Sequence, residues 1–354
     1  METLDEEGVW VANRLVSGVA TDGRRSRIPT LKVKDPVTKQ VIREARTNKE
    51  KGQLLYQVFF PICTAPPAAP LEDNTIQEKW NYTNTTDEQI HRAIKQMKPW
   101  KATRSGTIPN MVFIYTRDLI VPFLGPIFRA TDTLKVYPED WKLTKMPILK
   151  KPGKSNYTST GSWRPIVLSN RYVRLLNSCK TKELVLMCKK TGILPKNHFG
   201  GRPGRATTDL IHLLVKMVKD AWRKGEVVSL LCLDVKAAFL SMAVDVLLQE
   251  MRSCGIPKGH VEWFKRCLEG RKTTLIFNDY RSDMFNIEEG IDQGDTHSLI
   301  VWIIYNHRIL EIFKKEGKET RLLFVDDTAI LVMGLDFDET HQQLKDVMLR
   351  ERVG

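Results

Sequence analysis

The stretch Leu322–Val332, LLFVDDTAILV, decides the fold class. Two short apolar runs, LLFV and TAILV, are separated only by Asp326 and Asp327, which predicts two strands joined by a tight hairpin with both acids in the turn. A third carboxylate, Asp234, stands at the end of VVSLLCLDV, a continuous apolar run of the kind expected for a buried strand. Three carboxylates on neighbouring strand ends repel one another unless a cation neutralises them. Mg²⁺ is the natural candidate, because it takes oxygen ligands and leaves room for substrate phosphates. Taken alone, FVDD reads as an ordinary solvated turn, and Asp234 as a strand-end residue capping the next helix. The rest of the chain has to decide.

Outward from these acids the periodicity is mixed. Thr86 and Gln89 form a T-x-x-Q capping box, and Ile90, Ala93, Ile94 and Met97 follow on one helix face, which Pro99 ends. A second helix is predicted from Thr208 to Lys224, with Ile211, Leu214, Val215 and Val218 on one face and Gly225 as its stop. Val244, Leu247, Leu248 and Met251 share a face before Gly255, and Lys258–Gly270 reads as a short helix. Thr273–Phe277 and Met284–Ile287 read as a hairpin across Asn278–Arg281; Ser298–Lys315 reads as helical, and a last amphipathic helix begins near Asp338. Strands and helices alternate without a glycine-rich dinucleotide fingerprint. The expectation is an α+β catalytic sheet with helices packed on one side.

Composition narrows the class. The 354 residues are 42% hydrophobic and 27% charged, enough for a sizeable core and against global disorder. The net charge of +13 is local: fifteen Lys and Arg and a single acid, Glu183, lie between Lys142 and Arg205. That segment reads either as a phosphate-facing surface or as a solvated face of scattered lysines. No apolar run is long enough to span a bilayer, and METLDEEG is too acidic for a secretory signal. The six cysteines (Cys63, Cys179, Cys188, Cys232, Cys254, Cys267) form no CxxC pair, so a reduced intracellular chain without structural zinc is expected. Residues 1–80 are weakly patterned, with a Pro/Ala linker, PICTAPPAAP, from Pro61 to Pro70.

With these blocks in hand, the chain resembles reverse transcriptases of the non-LTR (LINE-like) retrotransposon class. The resemblance runs from about Glu88 to Arg350, in the family's order. IHRAIKQMKPWKATRSGTIPNMVF (90–113) resembles the opening of the fingers. MPILKKPGK (146–154) and SWRPIVLSN (162–170) are similar to the two blocks that approach the incoming triphosphate. HFGGRPGRATTDLIH (198–212) is similar to the next finger block. LCLDVKAAF (231–239), EGIDQGDTHSL (289–299) and LLFVDDTAILV resemble the three palm motifs. Separations of 59 residues from Asp234 to Gln293 and 33 from Gln293 to Asp326 suit one contiguous palm.

The resemblance implies a right-hand polymerase of fingers and palm, α+β, with an antiparallel palm sheet backed by helices. Residues 1–80 would be a partly disordered connector, 81–225 fingers, and 226–354 palm. It implies two-metal nucleotidyl transfer from a dNTP to a primer 3′-hydroxyl on an RNA template, with Mg²⁺ as cofactor and Mn²⁺ as the alternative ion. Asp234 and Asp326 would ligate the metals, and Asp327 would support them. Phe239 would be the bulky gate against a 2′-hydroxyl. Gln293 and Gly294 would lie against the nascent base pair and template. Arg164 would hold the triphosphate with Lys150 or Lys151, and Arg202 and Arg205 would touch the template backbone near a helix N-terminus. Phe239 read without the family is a core aromatic, and Trp141 and Trp163 read as buried before they read as base-stacking. The implied partners are RNA template, DNA primer or target, and dNTPs, with no membrane. The implied setting is a ribonucleoprotein of nucleus or cytoplasm.

Three departures stand out. The second palm motif usually reads Gln-Gly-x-Pro; here the run is Asp295-Thr296-His297, and losing a fixed φ is expected to loosen the loop. Where the fingers usually carry Pro-Gly-x-Asp-Gly, the residues are Thr103 to Thr107, TRSGT. The sequence also stops at Gly354, before the lysine-bearing palm segment, primer grip and thumb that the resemblance would lead one to expect. The expectation is therefore a C-terminally truncated module. A remnant that only binds nucleic acid, and a group II intron maturase-like enzyme, are the alternatives.

Overall fold

A computed structural model describes residues 27–35, 37–61, 76–100, 104, 106–235, 237–307, 310 and 319–351. Most of the Pro/Ala linker, Cys63, Thr103 and Ser105 of the TRSGT departure and the far end of the helix expected over Ser298–Lys315 lie outside the described residues. The elements in chain order are β1 (Leu31–Lys34), β2 (Val41–Ala45), α1 (Asn48–Phe59), α2 (Asp87–Lys95), α3 (Asn110–Tyr115), α4 (Arg117–Thr133), β3 (Leu143–Lys150), β4 (Trp163–Pro165), α5 (Arg171–Lys190) and α6 (Thr207–Arg223). They continue as β5 (Val227–Asp234), α7 (Val244–Ser253), α8 (Lys258–Leu268), β6 (Arg271–Phe277), β7 (Tyr280–Ile287), α9 (Thr296–Tyr305), β8 (Glu319–Phe324), β9 (Asp327–Gly334) and α10 (Phe337–Glu351). None of the described helices is long and apolar enough to cross a membrane.

The three-stranded sheet has the order β5-β9-β8 and is antiparallel throughout. Its hairpin differs by one residue from the expected one. The turn is Val325–Asp326, while Asp327 opens β9, opposite both Phe324 and Asp234. Asp327 is drawn into the ladder because it has a partner on each side. Strand β5 also departs from the buried reading: Leu230 is 45% exposed, and Cys232 and Asp234 on the same face are exposed too. The burial alternates along β5 because one face of this antiparallel sheet is open there, and among the described residues β5 is an edge strand paired with β9. Beyond β8 the segment at Asn197–Phe199 adds a short parallel bridge: the Phe199 N–H donates to Leu323 O at 2.8 Å and the Leu323 N–H to Asn197 O at 3.0 Å. Helix α10 docks on the sheet, where Ser229 and Thr340 share a hydroxyl hydrogen bond of 2.9 Å.

A second sheet, β4-β3-β6-β7, joins residues from both sides of position 225. Strand β3 runs parallel to β6 and antiparallel to β4. The β6–β7 hairpin closes through Asn278 and Asp279, both at positive φ (51° and 60°), as a two-residue hairpin turn demands. It is tighter than the Asn278–Arg281 connection expected. Residues before position 60 contribute to this unit: Ile28, Leu31, Leu54, Leu55 and Phe59 bury against Met146, Trp163, Leu275 and Phe277. The main core is helical, with Ile90, Phe113, Phe128, Leu175, Trp263 and Trp302 at its centre. Within it the Lys180 ammonium, 0% exposed, meets the Asp132 carboxylate at 2.9 Å and the Tyr82 hydroxyl at 2.6 Å, and Tyr82 donates to Asp132. Trp141 and Trp163 are buried.

Candidate active site

The ladder places Asp234 directly opposite Asp327, and Asp326 is the residue before Asp327. Asp234 and Asp327 are exposed and Asp326 is half-buried. Burial, then the neighbouring Asp326 and Asp234 charges, hold the Asp327 carboxyl above its ordinary range. Among the described residues none of the three forms a salt bridge, and no three metal-binding groups are gathered at ligating spacing. The three carboxylates are adjacent yet do not converge, as expected of like charges. As hard oxygen donors without a salt-bridge partner among the described residues, they fit a divalent cation by chemistry.

The turn between them is held from two sides. Val325 sits at φ +59°, a conformation that costs a β-branched residue of order 1–3 kcal/mol and persists only when surroundings impose it. Gly200 lies behind it, so close that a Cβ there would come within 2.5 Å of Val325 N. The indole N–H of Trp302, on α9, donates to Val325 O at 2.8 Å. The Trp302 ring also packs against Phe239, with centroids 5.4 Å apart. Phe239 is half-buried in the turn after β5, and its carbonyl accepts from Ile291 N at 2.7 Å.

That last bond begins the loop carrying Gln293 and Gly294. The Gln293 carbonyl accepts from Val167 N at 3.1 Å, and Gly294 takes φ +104°, open to glycine and strained for other residues. The Asp295 departure does not leave this loop loose. Its carboxylate caps α9 by accepting from His297 N at 2.8 Å, and it accepts from Asn177 Nδ2 of α5 at 3.0 Å. Arg271 adds a 3.0 Å bond to Asp292.

On the β3–β4 hairpin, Arg164 pairs with Leu149 and is exposed, while Lys150 pairs with Trp163. Side chains alternate along a strand, so Lys151 falls on the face of Leu149 and Arg164. The structure divides the two lysines accordingly. The Lys150 ammonium lies over the Tyr157 ring, 4.2 Å from its centroid. Burial, then Arg164 and Lys154, hold the Lys151 ammonium below the usual lysine range, with Asp234 opposing them. Lys151 is thus the lysine that feels both Arg164 and a carboxylate of the site. Arg202 and Arg205 brace their own loop: Arg202 donates to Pro195 O and, at 3.2 Å, to His198 O. Arg205 donates to Lys196 O at 2.6 Å and covers the Phe199 ring.

The sequence reading named the carboxylates, Phe239 and the Gln293–Gly294 pair. It did not find Trp302 or Gly200. The short GG pair was the one visible signal for the latter, since two small residues allow close backbone approach.

Comparison with known proteins supplies the family. A family model described as reverse transcriptase (RNA-dependent DNA polymerase) matches residues 148–351. A probable RNA-directed DNA polymerase from transposon X-element of Drosophila melanogaster is 27% identical over 243 residues, 68% of this chain and 26% of that protein. The corresponding protein from transposon BS of the same organism is 24% identical over 62% of this chain and 24% of its own length. A Pol polyprotein of the type-2 retrotransposable element R2DM, from the same organism, is 27% identical over 44% of this chain and 14% of its length. This chain spans about a quarter of the first two relatives. The expected likeness to non-LTR retrotransposon enzymes is thereby met. Since the family match covers more than half of the residues and contains the Asp234, Gln293 and Asp326–Asp327 blocks, the chain belongs to the reverse transcriptase family.

Proposed function

We propose that this chain is a fingers-and-palm module of a non-LTR retrotransposon reverse transcriptase, extending a primer 3′-hydroxyl with dNTPs on an RNA template. The observation that carries the reading is the direct pairing of Asp234 with Asp327 beside the Asp326 turn, facing a basic finger hairpin. Residues 81–225 act as fingers and 226–354 as palm, with 1–80 as a connector, although β6 and β7 pack with the finger strands.

Asp234 and Asp326, supported by Asp327, would hold Mg²⁺, or Mn²⁺ in its place. The ion supplies charge neutralisation and alignment for in-line phosphoryl displacement. Arg164 grips the triphosphate bidentately, and Lys151, rather than Lys150, adds a point charge beside it. The Phe239 ring occupies the space a 2′-hydroxyl would need, selecting deoxynucleotides. Gln293 and Gly294 bring main chain against the nascent pair. Arg202 and Arg205 stiffen the loop before α6, whose N-terminus and flanking basic residues lie along the template backbone.

The test is dNTP incorporation by the 354-residue chain on an RNA template with a DNA primer. Mg²⁺-dependent extension that Asp326→Ala abolishes supports the reading. Extension that survives Asp326→Ala, or salt-sensitive binding without any turnover, overturns it.

A further inference from the structure

We propose that Trp302 is a positioning residue for this reaction, setting both the carboxylate turn and the depth of the Phe239 ring. The inference rests on the polymerase reading above. Trp302 is 2% exposed, so its indole N–H, the only donor of its side chain, needs a partner. That partner is the carbonyl of Val325, at 2.8 Å, in the turn that presents Asp326. Val325 holds φ +59°, which its own side chain disfavours. Gly200 blocks the turn from behind, and the indole N–H holds its carbonyl from the α9 side. Removing the donor frees the turn to relax away from the geometry that aims Asp326.

The same ring meets Phe239 at 5.4 Å and 40°, and Tyr305 stacks on it at 5.8 Å from the next helical turn. The main chain of Phe239 is fixed by Ile291 N at 2.7 Å, which leaves the side chain as the adjustable part. Trp302 is the aromatic neighbour of Phe239 among the described residues. One buried indole thus links the group that selects the sugar to the turn that carries a catalytic acid.

Trp302→Phe keeps a ring and deletes the N–H. On an RNA template with a DNA primer, this variant is expected to lose about tenfold in kcat, with KM for dNTP within about threefold. Its preference for dNTP over rNTP is expected to fall about fivefold or more, as the gate shifts toward the smaller ring. A purely structural role would lower the active fraction and leave that preference unchanged, which overturns the inference. Val325→Gly removes the side-chain objection to the left-handed turn. The double variant Trp302→Phe with Val325→Gly is therefore expected to regain kcat but not sugar preference. Failure to separate the two counts against the proposal.

A second arm needs no turnover. Indole ¹⁵N–¹H spectra of the full chain, with Trp302→Phe identifying the resonance, should show a slowly exchanging N–H that shifts in Phe239→Ala. Solvent-rate exchange, or no shift, sinks the inference. Absence of incorporation by the unmodified chain would instead strike the polymerase reading, while the spectra still decide the role of Trp302.

Discussion

Asp234 and Asp327 face each other as direct partners across the β5–β9 ladder, and neither forms a salt bridge among the described residues, Lys151 acting on Asp234 only through space. An antiparallel pair of like charges is destabilising. At the end of an edge strand this pair is open to neutralisation by a cation, which is the physical ground of the proposed metal role.

The first consequence is a pH and metal dependence of stability. The Asp327 carboxyl is held above its ordinary value of 3.8, so the folded chain binds its proton more tightly than the unfolded chain. Asp327 therefore costs stability as pH rises through 3.8 and beyond, and the cost persists at neutral pH. Asp327→Asn should raise Tm at pH 7 and leave it unchanged in acid. Millimolar Mg²⁺ should raise Tm of the unmodified chain at pH 7 and do so less in Asp327→Asn and Asp234→Asn. Differential scanning fluorimetry across pH, with and without Mg²⁺, reads both. A lower Tm for Asp327→Asn at pH 7 would contradict the charge argument.

A second prediction concerns Gly200. A Cβ at this position would stand 2.5 Å from Val325 N and 3.0 Å from the Phe324 carbonyl carbon, and backbone cannot swing aside. Gly200→Ala should push the Asn197–Phe199 bridge off β8, costing about 1–3 kcal/mol by overpacking. Incorporation should fall more than stability does, because the displaced contact is the carboxylate turn. Gly161→Ala is the control: its Cβ would meet nothing nearer than Ser159 Oγ at 3.7 Å, and its φ is not left-handed. Urea unfolding and incorporation assays on both variants check this.

These two sites show what could be read before the structure and what could not. The Thr86–Gln89 box is local, and it caps α2 as expected. The offset in the acidic turn arose because two adjacent aspartates look alike as turn residues. Pairing on both sides, with Phe324 of β8 and Asp234 of β5, shows that Asp327 belongs to the ladder. Lys150 and Lys151 could not be told apart until the end of β3 and its pairing with Trp163 fixed which face each takes. The Trp302 bond to Val325 spans 23 residues and leaves no periodic trace. Helix α4 is hidden by Pro122 and Pro126, which argue against a helix that tertiary packing of Val121, Leu124 and Phe128 nevertheless stabilises. The segment from Ile28 to Phe59 lacks a strong pattern because its apolar residues are divided between two short strands and a helix that share one small core.

A third prediction addresses the buried Lys180–Asp132–Tyr82 cluster. Lys180 is fully buried and Asp132 is 3% exposed, so either charge left alone is uncompensated. Lys180→Met should destabilise the chain by about 3–5 kcal/mol. Combining it with Asp132→Leu should recover part of that loss, because neither charge is then left alone, while the Tyr82 hydroxyl, stripped of both partners, keeps the rest from returning. Urea unfolding of the two single variants and the double forms a complete cycle. Strict additivity would show that the pair is not coupled.

The last prediction concerns the imidazoles behind the Gln293–Gly294 loop. His297 is buried with its ring stacked on His260 at 5.3 Å, and its Nε2 is 3.4 Å from His260 Nε2. Burial, with Lys180 adding to it, pushes His297 from 6.5 down to about 3, and His260 is lowered as well by burial and by His297. A base whose folded value is depressed binds fewer protons in the folded state than in the unfolded one. Its contribution to stability is therefore full above 6.5 and is lost progressively as pH falls toward 3. The unmodified chain should lose Tm steeply between pH 6.5 and 4. His297→Phe should flatten that slope, because a phenyl ring keeps the contacts with Trp263 and Phe264 and takes no proton. His297→Phe also deletes the hydrogen bonds the neutral ring shares with His260 Nε2 and the Thr181 hydroxyl, so its Tm at pH 7 should fall below the parent's while the acid slope flattens. Tm measured in matched ionic strength at half-unit pH steps reads the slope, and an unchanged acid limb in His297→Phe would assign the acid sensitivity to other groups.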